Sequence, residues 1–111
     1  MPTREEMYDE AIESQQAGRL QQAIDTLEAL VEQAPDYALA HSALSVFHGK
    51  LDSPDKAVEH ARRACELEPN DPFCFVAMSL ICQKAGRIEE AEEALMKARQ
   101  VEFASRQNAG D

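Results

Sequence analysis

Tryptophan is absent from this chain, and aromatic residues together make up only 5% of it. A core so poor in rings must be built from Ala, Leu, Val, Ile and Met, which suits elements that cross closely. Glycine and proline are scarce, four and five in 111 residues. With a hydrophobic content of 44%, that scarcity excludes a disordered or collagen-like chain. Long apolar runs are missing too, and none approaches the roughly 20 residues that a membrane-spanning helix needs. The start, Met1-Pro2-Thr3-Arg4-Glu5-Glu6, is too acidic and too polar for a signal peptide. Three cysteines, an odd number, do not make a disulfide framework. A reducing compartment is expected, with the cytoplasm as the location.

Positive charge is short as well. The formal net charge is −10, so neither nucleic acid nor an anionic membrane is expected as a partner, since both need a basic footprint. The imbalance is concentrated at one end. Residues 4–37 hold 9 acids and 2 bases (net −7), residues 38–71 hold 6 and 4 (net −2), and residues 72–105 hold 5 and 4 (net −1). Catalytic signatures are missing: there is no phosphate-cradling glycine loop, no nucleophile elbow and no zincin helix motif. The protein is expected to be no enzyme and to carry no cofactor and no metal.

What the chain does have is a repeat of period 34. Ala23, Ala57 and Ala91 are spaced by it, as are Gly18, Asp52 and Gly86. Pro35 and Pro69 keep the same interval, and Phe103 holds the third place. A fixed period of this size indicates a stacked array of supersecondary units. Six helices can be read, in three hairpins. The first begins after Thr3, which forms a capping box with Glu6, and ends at Ala17-Gly18. The second runs from about Leu20 to Gln33 and stops before Pro35. Asp36 is the expected N-cap of the third, which ends near Leu51. Ser53 with Pro54, and Asp71 with Pro72, open the fourth and fifth. The sixth runs from about Ile88 to near Phe103. This organisation predicts a single domain over 1–105, with repeats at about 4–37, 38–71 and 72–105, and a flexible tail over 106–111.

Small residues sit where helices must cross: Ala23, Ala57 and Ala91 in the second helix of each pair, and Ala11, Ser45 and Ser79 in the first. The pattern resembles the tetratricopeptide repeat family in its period, its small residues, its inner-turn Gly and its inter-repeat Pro, over residues 4–105. It departs where that family often has aromatics: Met7, His41 and Phe75 at one position, Ser14, His48 and Cys82 at another, with Asp52 at the middle turn. The resemblance implies an all-α, right-handed superhelical array of three helix-turn-helix repeats.

Each first helix also carries a stripe that should meet the preceding repeat: Ala40, Leu44 and Phe47, then Cys74, Met78 and Ile81. In the first repeat the places are Glu6, Glu10 and Glu13, and three glutamates do not suit an apolar interface. On the second helices, Ile24 with Val31 and Val58 with Cys65 give way to Glu92 and Arg99. Polar outer faces are what terminal repeats need, so a stand-alone module capped at both ends is the expectation.

In the family the first helices line the concave face. The resemblance places Tyr8, Ile12 and Gln15 there, then Leu39, Ser42, Val46 and Gly49, then Phe73, Val76, Leu80 and Gln83. Each set shares one helical face, and together they form an apolar stripe. Some members clamp a chaperone's C-terminal carboxylate with Lys and Asn. The matching positions here are Tyr8, Ile12, Ser42, Val46, Val76 and Leu80, so that activity is not expected. The stripe suits an apolar or amphipathic protein or peptide segment, in the manner of an adaptor or chaperone-like scaffold. Basic flanks on that segment would suit Glu5 and Asp9. Two other readings of the stripe are a homodimer or homo-oligomeric assembly scaffold built through the same groove, and ordinary core. A metal or redox sensor using His48 and Cys82 is a rival of another class. His41 and His48 are seven apart on one helix, Cys74 and Cys82 lie on the next first helix, and this is no known ligand spacing.

Overall fold

A computed structural model describes residues 1–109 as six α-helices. They are α1 (Arg4–Gln16), α2 (Leu20–Gln33), α3 (Ala38–Lys50), α4 (Pro54–Leu67), α5 (Pro72–Lys84) and α6 (Ile88–Ala109). The hairpins α1/α2, α3/α4 and α5/α6 pack internally, and α2 on α3, α4 on α5 and α3 on α5 join them into one array.

The inner turn is the same device three times over. Gly18, Asp52 and Gly86 have φ of +83°, +55° and +77°. The residue after each donates its N–H five residues back: Arg19 to the Ser14 carbonyl at 2.8 Å, Ser53 to His48 at 2.9 Å and Arg87 to Cys82 at 2.8 Å. Each positive-φ residue donates in turn to the carbonyl three before it. This is the Schellman arrangement, and it needs a left-handed residue at one place per hairpin. The period of the sequence is the period of that turn.

At the helix starts, Thr3 and Glu6 exchange their capping-box bonds at 3.1 Å each. Asp71 accepts from the Phe73 N–H at 3.0 Å. Two expectations are corrected. The N-cap of α3 is Tyr37, not Asp36, and it makes no side-chain cap bond. Its ring is held elsewhere, under the Arg4 guanidinium at 4.8 Å and edge-on to Tyr8 at 6.2 Å. The sixth helix does not end near Phe103 but continues to Ala109. Nothing between Phe103 and Ala109 breaks a helix, and Arg106 reaches Glu102 one turn back at 2.8 Å. Residues 106–109 of the expected tail are thus helical. The rest of that tail, residues 110 and 111, lies outside the described residues.

The small residues do what their spacing implies. Ala11, Ala23, Ala57, Ala91, Ser45 and Ser79 are all buried. Ala40, Leu44 and Phe47 are buried against α2, with Leu27 and Leu30 in the same apolar cluster. A second, smaller cluster is formed by Val58, Cys82 and Ala91, with Met78 and Ile81 packed on it. Glu6, Glu10, Glu13, Glu92 and Arg99 are exposed. Arg62 reaches Glu90 of α6 at 2.8 Å, while Arg87 bonds both Glu90 and Asp55. The second and third hairpins are thus joined by charge as well as by apolar contact.

Candidate partner-binding groove

Between α3 and α5 lies an open groove of about 430 Å³. Its floor is Ala61 and Ala64 of α4, and Ser45 and Ala77 are also in its lining. Small side chains leave this volume unfilled, where larger ones would close the gap between the helices. Of the residues expected on the concave face, Ser42, Val46, Gly49, Leu80 and Gln83 line it. Val46 is 45% exposed and Leu80 56%. A Cβ at Gly49 would meet only the Ile81 Cδ1, at 3.9 Å, so this glycine is open space at the wall and not a packing necessity.

The other expected residues fall into two groups. Leu39, Phe73 and Val76 are exposed outside the groove lining, Phe73 to 79%. Tyr8 and Ile12 are half-buried and pack against the first apolar cluster, and Gln15 is also half-buried. The floor residues Ala61 and Ala64 escape a reading confined to first helices. Their signal is the run of small residues on α4 (Ala57, Ala61, Ala64), beyond what one helix crossing requires. Lys50 and Lys84 line the groove as well. They are the last residues of α3 and α5, where cations also favour the helix dipole.

The thiols near the groove are held protonated. Burial pushes the Cys65 thiol up to about 12, and burial with the neighbouring Asp71 carboxylate pushes Cys74 up to about 11. Burial raises Cys82 too. Thiols held in that form are poor nucleophiles and poor redox centres. Cys82 does not join His48, as the sensor reading supposed, but belongs to the second apolar cluster. His48 meets Glu28 of α2 and His60 of α4 instead. Burial, and then the charges of His41 and His48, hold His60 below the ordinary histidine value. Among the described residues no helix is long and apolar enough to cross a membrane.

Comparison with known proteins supports this architecture. The family described as tetratricopeptide repeat matches residues 38–71 and 74–101. The photosystem I assembly protein Ycf3 of Synechococcus sp. (strain CC9605) is 29% identical over 86 residues, which is 75% of this chain and 50% of that protein. Among solved structures, MamA superposes with a TM-score of 0.85 at 22% identity, covering 95% of this chain and 61% of that one. The second such domain of Spaghetti (RPAP3), solved with the HSP90 peptide SRMEEVD, gives 0.78 at 14% identity, covering 88% and 91%. The chain thus spans about half of the curated relative and under two thirds of MamA. Period, turn, hairpin and matched residues agree: the chain belongs to the tetratricopeptide repeat family, whose members generally mediate protein–protein interactions.

Proposed function

We infer that this protein is a non-catalytic interaction module, one three-repeat domain that holds an apolar or amphipathic segment of a partner protein in the groove between α3 and α5. The observation that carries this reading is the juxtaposition of an unfilled 430 Å³ groove with solvent-exposed Val46 and Leu80. Leu39, Phe73 and Val76 extend the apolar surface beside it. Isolated exposed apolar residues are ordinary, but a contiguous apolar groove is the usual form of a peptide or helix site. Tyr8 and Ile12 would contribute at the margin, and Ser42, Gly49 and Gln83 within the groove. Basic flanks on the segment would suit Glu5 and Asp9, while a carboxylate would suit the Lys50 and Lys84 edge. The relatives are consistent with this: one is named for assembly, another was solved with a peptide, and a further neighbour is the CopN–Scc3 complex.

Val46→Glu and Leu80→Glu test it, because both side chains are largely exposed and the fold should tolerate the change. Fluorescent amphipathic-helix peptides are titrated against wild type and each variant, with helicity followed by circular dichroism. Each variant is expected to lose at least about tenfold in affinity with helicity unchanged. Equal binding by wild type and both variants would remove the groove from consideration. Sedimentation of wild type as a dimer, with both variants monomeric, would transfer the groove to self-association.

A further inference from the structure

All three histidines of the chain converge on one place. His41 and His48, two turns apart on α3, are both buried. Seven-residue spacing puts them on one face of that helix, and α4 lays His60 against both. The His60 ring stacks on His48 at 5.7 Å between centroids and 6° between planes. Its Nδ1 lies 3.1 Å from Nδ1 of His41. Glu28 reaches in from α2 of the preceding repeat, with Oε1 3.0 Å from Nε2 of His48. The ligating atoms of Glu28, His48 and His60 all lie within 4.8 Å of one another.

Hydrogen-bond partners assign the tautomers. His41 Nε2 is 2.8 Å from the Pro35 carbonyl oxygen. A carbonyl can only accept, so the His41 hydrogen is on Nε2 and its Nδ1 carries a lone pair. That lone pair accepts the Nδ1–H of His60. The lone pair of His60 is therefore on Nε2, which makes no hydrogen bond within the described residues. An imidazole whose other nitrogen donates to a fixed acceptor is the usual arrangement of a metal-ligating histidine.

We propose that Glu28, His48 and His60 bind one divalent transition-metal ion of the Zn²⁺ type, with His41 orienting the His60 ring. Two imidazoles and a carboxylate suit Zn²⁺, with a water completing the tetrahedron. Hard ions such as Mg²⁺ prefer an all-oxygen shell. Ligands about 2.0 Å from the metal sit roughly 3.3 Å apart, so a pair at the 4.8 Å limit must close by about 1.5 Å. The exposed Glu28 side chain has the freedom to supply that movement. On binding, the metal takes the place of the His48 Nε2 hydrogen, which moves to Nδ1 of the same ring, and Glu28 stays ionised. A cavity of about 360 Å³ bordered by Pro35, His41, Glu59 and His60 opens beside the His60 ligand. Arg62 and Arg63 also border it, and their charges are met by Glu90 and Glu66. The ion would tie α2 of the first hairpin to α3 and α4 of the second. None of these three ligands lines the groove between α3 and α5, so the two sites are chemically separate.

The test uses the full chain stripped with a chelator. Zn²⁺ is titrated in by calorimetry, Co²⁺ by its visible absorption, and Mg²⁺ serves as the control. One equivalent of Zn²⁺ is expected, with a rise in melting temperature, an intense tetrahedral Co²⁺ band and no response to Mg²⁺. Glu28→Gln, a near-isosteric change at an exposed position, and His60→Asn should each weaken Zn²⁺ binding by at least about tenfold and abolish the shift in melting temperature. His41→Phe should lower affinity and alter the Co²⁺ spectrum with helicity unchanged. No heat with Zn²⁺ at millimolar concentration would overturn the proposal. So would binding that Glu28→Gln leaves unaltered, since that removes Glu28 from the ligand set.

Discussion

Among the described residues Asp52 is the one non-glycine residue that occupies the left-handed region, at φ +55°. Its counterparts Gly18 and Gly86 adopt that conformation at no steric cost, while a Cβ there costs about 1–2 kcal/mol. Asp pays less than most residues because its short side chain tolerates the region. Asp52→Gly should therefore stabilise the protein by about 0.5–1 kcal/mol, and Gly86→Ala should destabilise it by about 1 kcal/mol. Urea denaturation of both variants checks this pair, and a neutral Gly86→Ala would refute the strain assigned to the turn. The substitution of Asp for Gly is visible in the sequence, but its conformational meaning comes from the 34-residue phase shared with Gly18 and Gly86. At the same scale, Asp36 shows where one residue misleads. An Asp before a helix is a sound N-cap signal, yet Tyr37 sets the boundary because its ring packs on Tyr8 and Arg4.

Helices here are joined through two kinds of contact, and they respond differently to pH. Apolar contacts such as Leu44 on α2 are insensitive to it. The Arg62–Glu90 pair and its neighbour Arg87 are not. The Arg62 hydrogen bond, outweighing partial desolvation, holds the Glu90 carboxyl below the usual glutamate value. A depressed carboxyl contributes stability above its unfolded value and loses it as pH falls through the folded one. Wild type should thus exceed Glu90→Gln in melting temperature at neutral pH, and the gap should close on acidification below about pH 4. Equal melting curves at pH 7 would mean that the pair contributes nothing measurable, as many exposed pairs do. This link between α4 and α6 was not legible from spacing, since residues 28 apart on different helices share no local pattern. The helices themselves were legible. Their starts and stops are fixed by Pro54, Pro72, Gly18 and Gly86, and the exception, α6 beyond Phe103, lacks any such stop.

Across the whole molecule the array is extended, with a radius of gyration of 14.9 Å against about 13 Å for a compact chain of this length. Stacked repeats contact only their neighbours, so stability is distributed unevenly along the stack. The apolar cluster spanning α1, α2 and α3 includes Leu27, Leu30, Leu44 and Phe47, whereas the one joining α4, α5 and α6 has Val58, Cys82 and Ala91 at its centre. Native-state hydrogen exchange should show the strongest amide protection in α2 and α3, and the weakest in α6 beyond Ala98. Uniform protection from α1 to α6 would contradict this and indicate a single cooperative unit.

The sequence by itself determined the hairpin count, the turns, the crossing points and the family resemblance. All of these follow from local backbone preference and from a period that repeats three times, so each position is read against two others. Only the tertiary structure decided what lies between helices. It put the floor of the groove on α4 at Ala61 and Ala64, drew Tyr8 and Ile12 toward the core, and brought His60 against His41 and His48 with Glu28 beside them. Those three histidines occupy no repeating position as a set, and Glu28 and His60 lie 32 residues apart on different hairpins. Their meeting depends on the angle and register at which α2, α3 and α4 pack, which one-dimensional spacing does not contain.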